Sequence, residues 1–269
     1  MILYKKISLM FLLILPLTQA IYSQEYRFEK LMQFEAPEAR QGVAADSQYI
    51  YVVGTQEIAK YDKTSHKKVK EWIGDEKGPI IHLDNGVIVD GKLFCAHSNY
   101  PGVPMTSSIE IWDPKTMEHV GNHSFGIRWG SCTWVDRFEG FWYAAFAHYK
   151  KWEHLTGKDA RWTTIVKFDD EWNEMGAWVY PEEIINRFDR MSNSGGAFGA
   201  DGYLYATGHD AQEIYVMKFP EQGSVLELVK IVPLEIFGQG IAWDRTEKNI
   251  LFGIQKKNRL VIKFELIID

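Results

Sequence analysis

From residue 26 onward the chain reads as short apolar runs rich in Val, Ile, Tyr, Phe and Trp, broken by Asp, Gly and Asn. That pattern predicts β-strands joined by tight turns. A self-similar unit emerges from it, and five copies of its first run end in Asp: QGVAAD at Asp46, NGVIVD at Asp90, SCTWVD at Asp136, GAFGAD at Asp201 and QGIAWD at Asp244. Each is followed closely by a second run, respectively YIYVVG, KLFCAH, FWYAAFAH, YLYATGH and NILFGIQ. A third run closes the unit, as IAKYD at Tyr61, IEIWD at Trp112, IVKFD at Phe168, YVMKF at Phe219 and VIKFE at Phe264.

Successive first-run Asp residues lie 44, 46, 65 and 43 positions apart. Four units carry a fourth strand: KKVKEWI (67–73), HVGNHSF (119–125), NEMGAWV (173–179) and VLELVKIV (225–232). A four-strand unit of about 44 residues is the size of one propeller blade. The fifth unit lacks a fourth strand, while an unassigned run, YRFEKLMQF (26–34), precedes the first. That run is expected to complete the last blade and remove its open edge. The repeats resemble those of the β-propeller superfamily, with degenerate WD40-like or YVTN-like blades. The resemblance implies an all-β, five-bladed propeller, or six blades if the long third unit hides another, and it carries no catalytic residues with it.

Of the 269 residues, 46% are hydrophobic and 14% aromatic, enough for a real core and suited to pleated surfaces. Residues 1–23 combine Lys5 and Lys6, the apolar stretch Ile7–Pro16 and the small residues Ala20 and Ser23, which is the pattern of a secretory signal peptide. The expected domains are therefore a signal peptide over 1–23 and a single propeller over 24–269, secreted or periplasmic, monomeric and not inserted in a membrane after cleavage. Loss of Lys5 and Lys6 would take the net charge from −6 to −8, which repels nucleic acid and favours carbohydrate or small polar ligands. Two cysteines, Cys95 and Cys132, are compatible with one disulfide or with two buried thiols.

The five repeated Asp residues suit turns between the first and second strands, where the carboxylate bonds nearby amides. Such positions do not converge on a central cavity, so a two-carboxylate glycosidase is disfavoured. The opposite face holds the more informative residues. HSNYPGVPMTSS and HYKKWEHLTGKDARW lengthen the loop after the second strand in units two and three, and long loops on rigid scaffolds commonly carry function. His97, His148 and His209 end the second strands of three successive units, and His82 precedes the first strand of unit two. These four, with Tyr100 and Tyr149, are the candidate acids and bases. Asn85, Asn99, Asn193, Gln41 and Gln239 are candidate substrate contacts, Arg128 and Arg190 candidate anion ligands, and Trp129 and Trp152 candidate stacking surfaces. SNSGG (192–196) reads as an inter-blade turn, and PEEIINRF (181–188) as a short helix.

Imidazoles at such positions shuttle protons near neutrality or ligate a transition metal. The first reading is a carbohydrate lyase or isomerase in which His or Tyr moves protons and Arg, Asn or Gln steadies an enolate-like oxyanion. In the second, His97, His148 and His209 hold a divalent metal ion, although no local ligand spacing supports it. A noncatalytic glycan-binding propeller and a protein-interaction scaffold are the alternatives. Catalysis predicts a compact polar pocket, glycan binding shallow aromatic sites around the ring, and a scaffold an extended apolar patch.

Overall fold

The computed structural model describes residues 25–269 and arranges them as five four-stranded antiparallel sheets, the five blades of a β-propeller. Blade 1 is β2 (Gly42–Ala45), β3 (Tyr49–Val53), β4 (Glu57–Asp62) and β5 (Lys68–Ile73). Blade 2 is β6 (Leu83–Val89), β7 (Lys92–Ser98), β8 (Ser107–Asp113) and β9 (Glu118–Gly126). Blade 3 is β10 (Ser131–Phe138), β11 (Phe141–Ala147), β12 (Thr164–Phe168) and β13 (Glu174–Val179). Blade 4 is β14 (Gly195–Phe198), β15 (Leu204–Thr207), β16 (Glu213–Lys218) and β17 (Glu227–Pro233). Blade 5 takes β18 (Ile241–Trp243), β19 (Ile250–Gln255) and β20 (Leu260–Ile268) and completes itself with β1 (Tyr26–Glu35). That last pairing is antiparallel, from Tyr26 opposite Ile268 to Glu35 opposite Leu260, and it is the ring closure expected from the unassigned first run. The long third unit hides no sixth blade among the described residues; its extra length is a loop with a helix α1 (Glu153–Thr156) and a connection with a helix α2 (Glu182–Arg187). Residues 1–23, where the sequence leads one to expect a signal peptide, lie outside the described residues. Among those described, no helix is long and apolar enough to cross a membrane.

Burial explains why the four runs of each unit differ. Inner strands such as GVAA and GGAF are buried at every position, because five of them crowd the axis, whereas the outer strand KVKEWI is largely exposed. Crowding also selects small residues. A Cβ placed on Gly42 would lie 2.5 Å from the Asn85 Cα, and one on Gly240 would lie 2.5 Å from the Gly42 Cα. The backbones of blades 1, 2 and 5 touch there, which only glycine permits. Between blades the core is aromatic and aliphatic, with Trp112, Trp134, Tyr205, Phe146 and Phe264 fully buried.

The faces are distinguished by their turns. On the lower face the inner strand of each blade ends and the second begins, and here the repeated acids act as turn residues. Asp46 accepts from the amides of Gln48 and Tyr49, each at 2.7 Å, and from the Tyr51 hydroxyl at 2.7 Å. Asp201 accepts from the Tyr203 amide and the Tyr205 hydroxyl, and Asp244 from the amides of Thr246 and Glu247. Asp136 accepts from the Arg137 amide and, across to blade 4, from the Phe198 amide at 2.8 Å. It also pairs with Arg245 of blade 5. Beside that pair the space between the inner strands shrinks to about 10 Å³. On the upper face the inner strands begin and the second strands hand over to the third.

Candidate functional site at the upper end of the axis

The upper site begins with a β-bulge. Leu83 pairs with His97 and Gly86 with Cys95, so Asp84 and Asn85 together face the single residue Ala96. A bulge re-aims side chains, and here it sends two polar residues toward the crowded axis. Asn85 becomes a clasp, accepting from the Val43 amide of blade 1 at 3.0 Å and donating to the Ile241 carbonyl of blade 5 at 2.6 Å. Asp84 is only 7% exposed, and the one cationic-type side chain among the described residues within 4 Å of its carboxylate is the His82 imidazole, with Nε2 at 3.8 Å. Burial drives the Asp84 carboxyl well above the usual carboxylate range, against the opposing pull of Lys256. Lys256 sits in the turn between β19 and β20 of blade 5, while Tyr149 of blade 3 feels the Asp84 charge in turn. The carboxyl of blade 2 thus lies within electrostatic reach of groups on blades 3 and 5.

His82 is held down to about 4, first by burial and then by the nearby Lys256, His97 and Lys151, whose protonated forms oppose a second positive charge. Near neutrality this corner therefore pairs an unprotonated imidazole with a carboxyl that resists ionisation. Loss of solvation also lowers Lys256, with Arg259 and Arg40 adding repulsion and Asp84 opposing them. Burial raises the Tyr149 phenol, which is next to the Ser131 hydroxyl; Ser131 in turn donates to Ser98 at 2.9 Å.

The two long loops supply an aromatic wall. Tyr100 lies with its ring centroid 4.6 Å from that of His82, 5.0 Å from Trp152 and 5.6 Å from Tyr149. Lys151 donates to the Tyr100 hydroxyl at 2.5 Å and stands 4.4 Å above the Trp152 ring. Asn99 makes the first loop a closed unit, accepting from the Thr106 amide and donating to the Pro104 carbonyl. In the second loop a 3₁₀ turn over Lys150–Trp152 leads into α1, placing Lys151 and Trp152 against the first.

Of the residues singled out from sequence, His82, Tyr100, Tyr149 and Trp152 come together, His97 stands next to His82 with its ring nitrogens engaged, and the others have different partners. His97 is buried with both ring nitrogens engaged, one by the Ile81 amide at 3.1 Å and one by the Ser108 hydroxyl at 2.8 Å. His148 binds the Trp129 carbonyl at 2.8 Å and is lowered to about 4, chiefly by burial. His209 pairs with its neighbour Asp210 at 2.7 Å. The three second-strand histidines therefore do not form the expected metal set, and no group of three or more His, Cys, Asp or Glu among the described residues has the arrangement of a metal site.

The carboxamides correct a second expectation, because strands that converge leave backbone groups that need partners. Asn193 accepts from the Trp134 indole at 2.6 Å and donates to the Gly195 and Thr207 carbonyls, so it is an inter-blade clasp like Asn85 and not a substrate contact. Gln41 and Gln239 are buried beside them, Gln41 with its amide 3.4 Å from the Thr55 hydroxyl. Arg128 is drawn out to Glu174 on the outer strand β13 at 2.7 Å, and Arg190 is exposed after α2. Trp129 stacks on Phe146 as core packing. Cys95 and Cys132 are buried free thiols.

Sequence reasoning passed over Asp84, Lys151 and Lys256. Asp84 had a legible signal: at the position before the six-residue run the other units carry Arg40, Gly130, Gly195 and Gly238, and unit two alone has an acid. The larger clefts of the described residues open elsewhere. One of about 530 Å³ lies on the lower face between blades 1 and 5, but its Lys63, Lys263 and Glu247 are already paired with one another or with Asp244.

No family model matches the chain, and no curated protein matches it in sequence. Among solved structures, the PQQ-bound aldose sugar dehydrogenase of Streptomyces coelicolor is similar over 90% of this chain and 99% of its own, with a TM-score of 0.54 at 9% identity. A luciferin-regenerating enzyme is 10% identical over 90% of this chain and 95% of its own, with a TM-score of 0.49. Hydrazine synthase of Kuenenia stuttgartiensis is 12% identical over 82% and 69%, also at 0.49. Likeness at such identities is a likeness of fold.

Proposed function

We propose that the chain is an exported propeller enzyme that moves a proton on a carbohydrate or related small polar substrate, in the manner of a lyase or isomerase. The observation that carries this reading is the buried Asp84 carboxyl, aimed by a bulge at the axis and faced by a neutral imidazole at 3.8 Å. A carboxyl that, among the described residues, binds no turn amide and clasps no neighbouring blade has no structural task comparable to those of the lower-face acids. Perturbed titratable groups in a polar corner are what acid–base chemistry requires.

In this reading His82 takes the proton from a carbon next to a carbonyl, and Asp84, protonated, gives one to the leaving or carbonyl oxygen. Tyr100 and Tyr149 are the alternative acids. Lys256, Lys151 and Arg40 surround the corner with positive charge and favour a substrate that carries a carboxylate or develops an enolate, a role that fits them better than Arg128 or Arg190. Arg40 is partly neutralised by Glu57 at 3.5 Å, which leaves the two lysines as the main contribution. The sugar substrate of the Streptomyces coelicolor propeller agrees with the substrate class through fold alone. Export rests on the pattern of residues 1–23.

The test is deuterium exchange. The mature protein is incubated in D₂O with aldoses and with uronic acids, and loss of the carbon-bound proton is followed by NMR. Exchange should occur with an acidic sugar and drop at least about 100-fold in His82→Gln and in Asp84→Asn. Saturable binding without exchange would instead mark a noncatalytic ligand-binding propeller.

A further inference from the structure

His97 and its neighbours form a buried relay that proton transfer at His82 does not itself use. The Ile81 amide donates to His97 Nε2 at 3.1 Å, which fixes Nε2 as an acceptor and places the ring proton on Nδ1. Nδ1 then donates to the Ser108 hydroxyl at 2.8 Å, and Ser108 donates to Glu110 Oε1 at 2.6 Å. The second oxygen, Oε2, accepts from His119 Nε2 at 2.7 Å. Three hydrogen bonds thus run in one direction, from the segment before β6 through His97 on β7 to Glu110 on β8, and a fourth, donated by His119 on β9, meets them at the carboxylate from the other side. His97, Ser108 and Glu110 are all under 10% exposed, and only the His119 side chain, at 29%, reaches solvent.

A buried glutamate is a costly way to fill a sheet, since apolar side chains of similar volume hold such positions at least as well. What this one obtains is directional control of a single backbone amide, that of the residue before His82. Ile81 lies outside any strand, and the segment is otherwise tied by the Gln56 side chain on the Ile80 carbonyl, the Leu83 amide on the Thr55 carbonyl and the Ser98 amide on the His82 carbonyl. The bond to His97 holds the amide side of the peptide that the Gln56 side chain holds by its carbonyl.

We propose that His97, Ser108, Glu110 and His119 are a positioning relay that sets the backbone at Ile81 and thereby holds the His82 ring against Tyr100 and beside Asp84. His97 is then a positioning residue, neither acid, base nor metal ligand. The inference rests on the reading of His82 as the base, yet its first test needs no turnover. The groups that face His82 are Asp84, Tyr100, His97, Lys151 and Lys256, so a displaced ring exchanges a buried, cation-lined setting for a wetter one.

In the mature protein labelled with ¹⁵N-histidine, NMR should find His97 protonated on Nδ1 only. Ser108→Ala should move the His82 titration midpoint upward from about 4 toward the ordinary imidazole value by at least one pH unit. Ser108→Thr, which keeps the hydroxyl, should restore it. Where turnover is measurable, Ser108→Ala should lower kcat about tenfold with KM little changed, the mark of misplacement and not of lost binding. His119→Leu breaks the chain at its exposed end without emptying the core and covers the case in which Ser108→Ala does not fold; the His82 midpoint should rise there too, by less. An Nε2-protonated His97, or a folded relay variant with an unmoved His82 midpoint, overturns the relay. Absence of deuterium exchange in the wild type, with His82 still responding to Ser108→Ala, overturns the catalytic reading and leaves the relay standing.

Discussion

At the lower end of the axis Asp136 is met by two backbone amides and by Arg245, while at the upper end Asp84, similarly buried, is met by one imidazole at 3.8 Å. The same residue type on neighbouring inner strands thus has two different tasks. The lower acid joins blades 3, 4 and 5 around a space of about 10 Å³ and supports the ring. The upper one gives the ring no comparable connection. What separates them is where the strand register puts the side chain: Asp136 lies where β10 is in regular register with β11, and Asp84 lies in the β6 bulge. A buried acid becomes informative once its hydrogen-bond partners are counted, since a structural acid is surrounded by donors and a chemical one is kept from them.

The widest separation between the two comes from removing each in turn. Asp84→Asn should abolish exchange by 10²- to 10⁴-fold, the range of a lost acid–base group, and leave the urea midpoint unchanged or higher. Asp136→Ala should do the reverse, costing about 1–3 kcal/mol because it leaves the buried Phe198 amide unpaired, with exchange intact in whatever remains folded. Equal losses of stability in both variants, read from urea unfolding at pH 7, would erase the distinction.

The pH dependence of stability does not separate Asp84 from Asp136, whose carboxyl burial also raises, but it separates Asp84 from another lower-face acid, Asp244, with a smaller effect. Asp84 has a folded value above its unfolded one, so its contribution to stability is present below about 4 and is lost as pH rises through the folded value. Asp244, on the lower face, is pushed up by burial but pulled below its ordinary range by Lys63 and Thr246; its contribution is present above about 4 and lost on acidification. Asp84→Asn should therefore gain on the wild type as pH rises from about 4, whereas the deficit of Asp244→Asn should stay level above about 4 and shrink as pH falls below it. His82, lowered to about 4, adds stability above its unfolded value of about 6.5 that disappears as pH falls toward 4, and His82→Gln should flatten that limb. Denaturant titrations at intervals from about pH 2 to 8 measure all three slopes.

How much of this was legible in the chain follows from the same contrast. The blades, their number, the N-terminal closing strand and the turn role of Asp46, Asp201 and Asp244 are properties of local pattern, repeated five times, and repetition makes them readable. Histidines at equivalent strand ends also repeat, but repetition there reports a shared place in the blade and not a shared target: His97 turns into a hydrogen-bond relay, His148 onto a carbonyl and His209 onto Asp210. Asp84 is a departure from the repeat, and its bulge follows from pairing across strands that no single run displays. Lys256 belongs to a short loop in the fifth unit, and only closure of the ring, which sets blade 5 across the axis from blade 2, brings its charge to bear on Asp84.

The inter-blade clasps extend the comparison to polar residues of the upper half that have structural work. Asn85→Ala and Asn193→Ala each leave buried backbone groups unpaired and should cost about 1–3 kcal/mol in urea unfolding. Exchange measured well below the unfolding midpoint should keep its wild-type KM in both. A KM that rises tenfold in Asn85→Ala, which neighbours Asp84 in the bulge, would make that amide a substrate contact after all.

The smallest effect belongs to the rim. Arg128 was an attractive anion ligand from its place before the inner strand of unit three, but its guanidinium is 66% exposed and bound to Glu174 on the outer strand. Exposed pairs of this kind contribute about 0–1 kcal/mol, because solvent screens them and two long side chains lose freedom in making them. Arg128→Ala should therefore shift stability by less than about 1 kcal/mol and leave KM for an acidic sugar unchanged, whereas Lys256→Met should raise that KM while leaving KM for a neutral aldose alone. If Arg128→Ala raises KM and Lys256→Met does not, the anion-recognising charge lies on the rim and not at the axis, and the division between a structural outer ring and a chemical centre fails at its outer edge.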